Sequence, residues 1–240
     1  MSTILMYHDI ADGGAMAGHE ALRVPVREFA WQCEWLAQKR YGTLSVDQYD
    51  AALAHGFAPK SCWLTFDDGR LNNYTQAFPL LVRHGLRATF FLIADRLRQE
   101  SGEYFSSSAA KEMLAAGMNI GAHSCTHPHL ARIPIGAMRR EVLESKDKLE
   151  QALQTPMRAF CYPYGNWNAA VVDVVREAGF SLAVSTIRGN RNRAADRYIL
   201  RRAMVQPGRA NWKFPYMMSP VYDLLHAWKN RRRWKEEGTA

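Results

Sequence analysis

The sequence predicts an α/β fold with a parallel sheet or barrel, and two observations support that prediction. Short apolar segments and longer segments with helical spacing alternate through most of the 240 residues. Several of the apolar segments end in polar residues, as strands do in parallel α/β folds, whose chemistry gathers at the carboxyl ends of the strands. No long Gly/Ser/Pro linker divides the chain, so we expect one domain over residues 1–240, with 219–240 as a basic helix and tail.

The amino-terminal third predicts two strands and two helices. Residues 4–7 are a short apolar strand, and residues 26–40 carry apolar side chains at helical spacing. Ser45, with Gln48 three residues later, forms a capping-box pattern that starts a helix over 46–54. The apolar run 62–66 is the next strand, and it ends abruptly at Asp67 and Asp68.

The rest of the chain continues the alternation. A helix over 72–84 stops at Gly85, a buried strand follows at 88–93, and a helix over 108–116 ends at Gly117. The strand at 118–122 leads into His123, and the longest helical pattern, with a charged outer face, covers 135–153. A strand at 157–161, a helix over 168–178 and strands at 181–184 and 199–205 complete the prediction.

Composition and charge limit the binding partners and the cellular compartment that we expect for this protein. The net charge of +8 suggests anionic surroundings such as a membrane face, an acidic glycan or a phosphate-bearing ligand. The chain lacks the spacing of a zinc finger, a helix-turn-helix or an RNA-binding motif, so no nucleic acid is expected. It shows neither a signal-peptide pattern nor an apolar stretch of about 20 residues, which predicts a cytoplasmic protein. Four cysteines without paired spacing indicate buried thiols in a reducing compartment.

The carboxyl-terminal segment 221–235 leaves two interpretations open. Apolar residues recur at helical spacing and are followed by Arg231, Arg232 and Arg233. Such a segment suits contact with an anionic membrane surface on the inner side of the cell. A terminal helix packed on the domain with a solvated end is the favoured alternative. No oligomeric state is predicted.

Two clusters of side chains suggest chemistry. Asp67 and Asp68 end an apolar strand, and successive side chains of a strand point in opposite directions, so one carboxylate can hold a metal while the other faces substrate. A solvated turn is the alternative, because Asp-Asp-Gly is good turn chemistry. His123 and His127, together with an aspartate, match a two-histidine, one-carboxylate metal site with an open position. His129 is a competing ligand, for which a supporting or surface role is favoured.

Three segments in this order resemble the first motifs of the polysaccharide deacetylases, carbohydrate esterase family 4 with the NodB homology domain. They are TFDDG at 65–69, HSCTH at 123–127 and YPYG at 162–165, and the resemblance extends over residues 3–205. It implies a distorted (β/α) barrel. It also implies metal-dependent hydrolysis of an N-acetyl group on an amino sugar, which leaves a free amine and acetate.

The resemblance also implies a role for each site residue. Asp68, His123 and His127 would bind a divalent ion, most often Zn²⁺, with Co²⁺ and Ni²⁺ as alternatives, and Asp67 would be the general base. This agrees with general chemistry, since zinc lowers the pKa of bound water toward ~7 and a nearby carboxylate can take the proton. The backbone N–H of Tyr164 would stabilise the oxyanion, or its ring would form an aromatic wall for a sugar.

The chain departs from the family pattern at the third motif. Most members carry an arginine two residues before the motif's proline, where it orients the base, and Cys161 stands there instead. Arg201 or Arg202 could supply the missing charge. Arg202 is favoured because related sequences have an arginine in that register, and two arginines on a solvent-facing strand edge are the alternative.

The general acid has two candidates. His226 resembles the usual carboxyl-terminal motif of the family, whereas His8 resembles the motif of a permuted branch that includes the poly-N-acetylglucosamine deacetylases. His8 is favoured because it ends a strand, and a half-buried histidine bonded to Asp9 is the alternative.

These observations predict a metal-dependent N-deacetylase that acts on an N-acetylated sugar or glycan intermediate. Two alternatives stay open from sequence alone. One is an amidase that acts on an amide outside sugars, and the other is a non-catalytic carbohydrate-binding or scaffold protein.

Overall fold

The computed structural model describes residues 2–13, 22–97, 102–208, 212–224 and 226. The strands in this part of the chain are β1 Thr3–Tyr7, β2 Asp9–Ile10, β3 Arg23–Val24, β4 Gly42–Thr43, β5 Ser61–Phe66, β6 Ala88–Leu92, β7 Asn119–Ala122, β8 Ala159–Cys161, β9 Leu182–Arg188 and β10 Leu200–Met204. The α-helices are α1 Val26–Gln38, α2 Val46–His55, α3 Phe78–Arg83, α4 Ser107–Ala115, α5 Ile135–Leu153, α6 Ala169–Glu177 and α7 Lys213–Met217.

Seven parallel strands close into a barrel, which confirms the predicted α/β barrel fold. The ring runs β1, β5, β6, β7, β8, β9 and β10, and β1 closes it by pairing with both β5 and β10. Ile4 lies opposite Trp63 on one side of β1, and Leu5 lies opposite Ala203 on the other. The short β4 pairs with the start of β5, and β2 and β3 form a separate parallel pair. The amino-terminal strand is therefore part of the barrel wall.

Alternation along β5 decides which side chains face the barrel interior. Cys62, Leu64 and Phe66 pack in the large cluster between the strands and the outer helices. Trp63 belongs instead to a smaller interior cluster. Its buried members are Ile4, Val46, Tyr49, Leu53, Trp63, Phe91, Ala159, Cys161, Leu182, Val184 and Leu200. The period of two then places Thr65, and beyond it Asp67, on the interior face.

Helix α2 closes the amino-terminal end of the barrel. Its Tyr49 ring packs against Trp63 with centroids 4.8 Å apart. The backbone N–H of Val46 donates to Oδ1 of Asn119 at the start of β7, at 3.1 Å. Ser45 caps the helix through a capping box, as its sequence pattern predicts. Because this end is closed by packed aromatic side chains, the opposite end, where the strands finish, is left for the functional residues.

The structure differs from the predicted elements in several places. The predicted helix over 72–84 is a π-helix, Asn73–Ala77, followed by α3. Strand β9 runs four residues beyond the predicted end at Val184, to Arg188, and a register shift separates its two pairs with β10. The two-residue strands β2, β3 and β4 were not predicted, because they are too short to show alternation.

Two other expectations concern the cysteines and the tail. All four cysteines are free and buried, as expected. The predicted helix over 221–235 is described only at residues 221–224 and 226, so most of it, with its arginines, lies outside the described residues. Among the helices of the described ranges, none combines the length and the apolar character that crossing a membrane requires.

Gly121 provides a test of how tightly the barrel is packed. A Cβ added there would lie 2.6 Å from the Phe91 ring and 2.9 Å from the carbonyl oxygen of Ala159, so Gly121→Ala should lower the free energy of unfolding by about 1–3 kcal/mol. Gly136→Ala in α5 is the control, because its nearest neighbouring atom is 4.0 Å away and alanine favours helix. Urea unfolding of both variants checks this, and equal stabilities would contradict it.

Candidate active site

A buried ion pair lies at the centre of the open end of the barrel. The guanidinium of Arg202, on β10, donates from Nη1 to Oδ1 of Asp67 and from Nη2 to Oδ2, both at 2.7 Å. Arg202 is fully buried and Asp67 is 2% exposed. Two parallel hydrogen bonds between a guanidinium and a carboxylate are strong and fix the orientation of both groups. Asp67 is therefore held in one position as an ionised acceptor.

The remaining donors of Arg202 are also bonded. Nε donates to the carbonyl oxygen of Ser185 at 2.8 Å, and Nη1 donates to Oγ1 of Thr65 at 3.1 Å. Nη2 lies 3.3 Å from Sγ of Cys161. Cys161 stands where the resemblance implies an arginine, and in this structure the charge beside Asp67 comes from Arg202 on β10. Arg201, the other sequence candidate, pairs through its backbone with Asn192, outside this cluster.

Asp68, His123 and His127 meet beside this ion pair. Oδ1 of Asp68 lies 3.5 Å from Nε2 of His123 and 3.6 Å from Nε2 of His127, and the two Nε2 atoms are 3.1 Å apart. A tetrahedral zinc site with ligand bonds of about 2.0–2.2 Å has ligand–ligand separations of about 3.3–3.6 Å. The three atoms thus form a set that could hold one cation.

The backbone at this end adopts unusual conformations. Four of the seven non-glycine residues with positive φ in the described ranges lie here: Asp68, Ser124, His127 and Tyr164. Left-handed backbone costs roughly 1 kcal/mol or more outside glycine, and such residues cluster at functional sites. The turn after β5 thereby directs Asp68 toward the histidines while Asp67 remains on the interior face.

The loop from His123 to His127, called the histidine loop below, is fixed on several sides. Nδ1 of His123 lies 2.7 Å from the carbonyl oxygen of Cys161, which leaves Nε2 facing Asp68. The carboxylate of Glu141, on α5, accepts three hydrogen bonds from the loop residues Cys125 and Thr126. The backbone N–H of His127 donates to Oγ of Ser124 at 3.0 Å.

The charged groups of the site shift the pKa values of its aspartates and histidines. Burial alone would raise the pKa of Asp67, but the charge and hydrogen bonds of Arg202, followed by His8 and His123, hold that pKa below its usual range. The pKa of Asp68 is likewise lowered by His123, His8 and His127 against the effect of burial. Burial and the charge of His123 lower the pKa of His127 to about 4. Burial lowers the pKa of His123, but Cys161, Asp68 and Asp67 together raise it well above its ordinary value. At neutral pH both carboxylates are therefore ionised.

His8 lies at the same end of the barrel, directly after β1. Its Nε2 is 3.8 Å from Oδ2 of Asp67, and its side chain is 15% exposed. Asn73, at the start of the π-helix, donates from Nδ2 to the carbonyl oxygen of His8 at 2.6 Å. Asp9 accepts a hydrogen bond from Asn72. The other candidate acid, His226, packs its ring against Tyr222 at 4.4 Å.

Tyr164 forms part of the rim of the site. It is 55% exposed and has a left-handed backbone with φ of 59°. Its ring lies 4.5 Å from the His127 ring and stacks nearly parallel on His129 at 4.1 Å. Gly165 follows with a positive φ, and a Cβ there would meet Oγ1 of Thr186 at 2.0 Å. His129 thus lies against Tyr164 at the rim of the site.

Three polar partners of the site residues were not identified from sequence. They are Ser185, which accepts from Arg202 through its carbonyl, Asn73 and Glu141. Glu141 lies in a helix whose outer face carries many charges, so its sequence position looks like that of a solvated residue. Only the contacts across the fold distinguish it.

Comparisons with known proteins identify the family. Residues 55–183 match the polysaccharide deacetylase family model. YxkH of Bacillus subtilis (strain 168) is 30% identical over 213 residues, which cover 88% of this chain and 74% of that protein. The poly-beta-1,6-N-acetyl-D-glucosamine N-deacetylase of Staphylococcus aureus (strain MSSA476) is 26% identical over 194 residues, which cover 72% of this chain and 65% of that protein.

A solved structure agrees with these sequence matches. The Streptococcus pyogenes deacetylase PplD, solved in complex with acetate, superimposes with a TM-score of 0.85 at 28% identity. The match covers 91% of this chain and 98% of PplD. The seven-strand barrel and the sequence matches together make the chain a carbohydrate deacetylase, a member of the polysaccharide deacetylase family.

Proposed function

We propose that this protein hydrolyses the N-acetyl group of an N-acetylated amino sugar or glycan intermediate, with Asp68, His123 and His127 holding a divalent cation and Asp67 acting as general base. The observation that carries the proposal is the position of Asp67. Hydrogen bonds from Arg202 hold its carboxylate beside Asp68, His123 and His127. The potential ligand atoms of these three residues lie 3.1–3.6 Å from one another.

The donor set favours zinc among divalent cations. Two imidazole nitrogens and one carboxylate oxygen are a common set for catalytic zinc, which keeps an open position for water or substrate. The lowered pKa of Asp68 keeps its carboxylate ionised at neutral pH, the state in which it can coordinate a cation. When bound, the cation would supply Lewis-acid polarisation of the acetyl carbonyl and make a water molecule more acidic.

Asp67 then takes a proton from the attacking water molecule while the water oxygen forms a bond to the acetyl carbon. Arg202 keeps the carboxylate ionised and oriented before this step, since both of its oxygens accept hydrogen bonds from the guanidinium. The alternative of a solvated Asp-Asp-Gly turn is disfavoured by the 2% exposure of Asp67.

The tetrahedral oxyanion and the leaving amine need two further groups. The backbone N–H of Tyr164 lies in a left-handed turn at the rim and would donate to the oxyanion. His8, 3.8 Å from Asp67, would give a proton from Nε2 to the amine nitrogen as the C–N bond breaks. The products are acetate and the free amino sugar.

The substrate class follows from the relatives. The Staphylococcus aureus relative is named for poly-beta-1,6-N-acetyl-D-glucosamine, and PplD was solved with acetate, the acid that this reaction releases. The exposed ring of Tyr164 supports a sugar substrate, because an aromatic face can pack against the apolar face of a pyranose.

Substitution of Asp67 should reduce catalysis without reducing metal binding. Asp67→Asn removes the base but leaves the three proposed ligands, so we expect wild-type zinc content and acetate release from N-acetylglucosamine oligomers reduced by about 100-fold or more. His127→Ala should instead lower zinc content and activity together. Metal analysis and an acetate assay measure both effects.

The Asp67 variant also leaves Arg202 buried without its counter-charge, at a cost on the order of 3–5 kcal/mol. Circular dichroism and thermal unfolding must therefore show that Asp67→Asn is folded at the assay temperature. A folded, zinc-loaded Asp67→Asn protein with wild-type acetate release would refute the role of Asp67 as base.

The two candidate acids can be compared directly. His8→Ala should lower acetate release about 100-fold or more, because the amine then leaves without its proton donor. His226→Ala, the matched control, should retain near wild-type rates. The reverse pattern would assign the acid to His226.

A further inference from the structure

We propose that Glu141 is a positioning residue for the metal site: its carboxylate fixes the histidine loop in the shape that brings the two imidazoles together, and it thereby sets metal affinity. The inference rests on the cation site of the proposed function. The three hydrogen bonds that Glu141 accepts come from Cys125 and Thr126, and none comes from a proposed ligand or from Asp67. Glu141 would therefore act through the loop.

The backbone donors of the loop show why Glu141 is needed. The N–H of His123 donates to Leu92 in the neighbouring strand, and the N–H of His127 donates to Ser124 within the loop. Between them, the N–H groups of Cys125 and Thr126 both donate to Oε2 of Glu141, each at 2.9 Å. One side chain from α5 therefore satisfies two consecutive donors that the loop itself leaves unpaired.

A third hydrogen bond joins Glu141 to the loop. Oγ1 of Thr126 donates to Oε1 of Glu141 at 2.7 Å, so both carboxylate oxygens are used. Hydrogen bonds to an ionised acceptor are roughly twice as strong as those between neutral groups. They oppose the cost of the left-handed backbone at Ser124 and His127, whose φ values are 62° and 69°.

The opposite edge of the loop is held mainly by backbone hydrogen bonds, and Lys148 lies 3.6 Å from Sγ of Cys125. The N–H groups of Ala94 and Asp95 donate to the carbonyl oxygens of Ser124 and Cys125, at 3.0 and 3.1 Å. Lys148 of α5 donates to Oδ1 of Asp95 at 2.8 Å. These bonds fix where the loop starts, whereas Glu141 holds the stretch that leads into His127.

This arrangement has a consequence for binding. The Nε2 atoms of His123 and His127 are 3.1 Å apart, so this shape of the loop suits a shared cation. If the loop relaxed without Glu141, part of the binding free energy would be spent on ordering it again. Groups that hold metal ligands in place commonly change metal affinity 10–100-fold when they are removed.

Glu141→Gln tests the inference, with Glu144→Gln as the matched control one turn along α5. Glutamine keeps the length of the side chain but loses the charge and one of the two acceptor oxygens. Glu144 is exposed and pairs with Lys148 at 3.4 Å, while Lys148 keeps its shorter bond of 2.8 Å to Asp95, so replacing Glu144 should leave the loop in place. The measurement is the dissociation constant of Zn²⁺ from the metal-free protein, by competition with a chromogenic chelator.

We expect Zn²⁺ to bind Glu141→Gln about 10–100-fold more weakly than wild type, and Glu144→Gln to bind it as wild type does. Thr126→Val, which removes one of the three bonds at an exposed residue, should weaken binding less. The visible spectrum of the Co²⁺-loaded protein should also change in Glu141→Gln, because the ligand geometry changes.

The outcomes separate this inference from the proposed function. Wild-type Zn²⁺ affinity in a folded Glu141→Gln protein, even with a lowered melting temperature, would show a merely structural role and overturn the inference alone. If wild type itself binds no Zn²⁺, the cation site fails and the inference falls with it. Weaker binding in Glu141→Gln with an unchanged melting temperature of the metal-free protein would support it.

Discussion

The ion pair between Arg202 and Asp67 is the constraint on which the rest of the site depends. Burying two charges is expensive, and attraction between them offsets the loss of hydration only when their other hydrogen bonds are also made. Here the donor groups of the guanidinium reach Asp67, Ser185, Thr65 and the Cys161 thiol. Such a pair adds little net stability, so its value is the fixed position and ionised state of one carboxylate at the open end of the barrel.

The barrel explains how the arginine can come from β10. In the closed ring β1 separates β10 from β5, and interior side chains of the two strands meet across it. Arg202 and Thr65 are such interior residues and bond directly. The small thiol of Cys161 leaves the volume that the guanidinium occupies. A positive charge is therefore placed beside Asp67 from β10.

Much of this could be predicted from sequence, because strand ends carry their chemistry in local patterns. The abrupt end of an apolar run at Asp67 and Asp68 and the spacing of His123 and His127 identify a cluster that the fold brings together. Closure of the ring by β1 could not be read from the sequence, since pairing of distant strands leaves no local pattern. The sequence favoured Arg202 over Arg201 only through a family resemblance, whereas the physical reason, that Arg202 lies on the interior face of β10, comes from the fold.

Contacts that cross the fold were the hardest to predict. Glu141 belongs to a helix with many outward charges, and Asn73 lies where an ordinary helix was expected and a π-helix is found. Neither has a pattern that separates it from its neighbours. Both act on the backbone of a site residue, His8 in one case and the histidine loop in the other. A sequence pattern reports which side chains could react, but not which residues hold them.

The two ends of the barrel divide stability and function between them. At the closed end, fully buried aromatic rings such as Trp63 and Tyr49 each contribute roughly 1.5–3 kcal/mol by burial. At the open end, positive φ at Asp68, Ser124, His127 and Tyr164 opposes folding by roughly 1 kcal/mol or more at each residue. The strained backbone persists because the packed end and the hydrogen bonds that Glu141 accepts outweigh it, and the proposed ligand atoms can therefore converge without glycine at those positions.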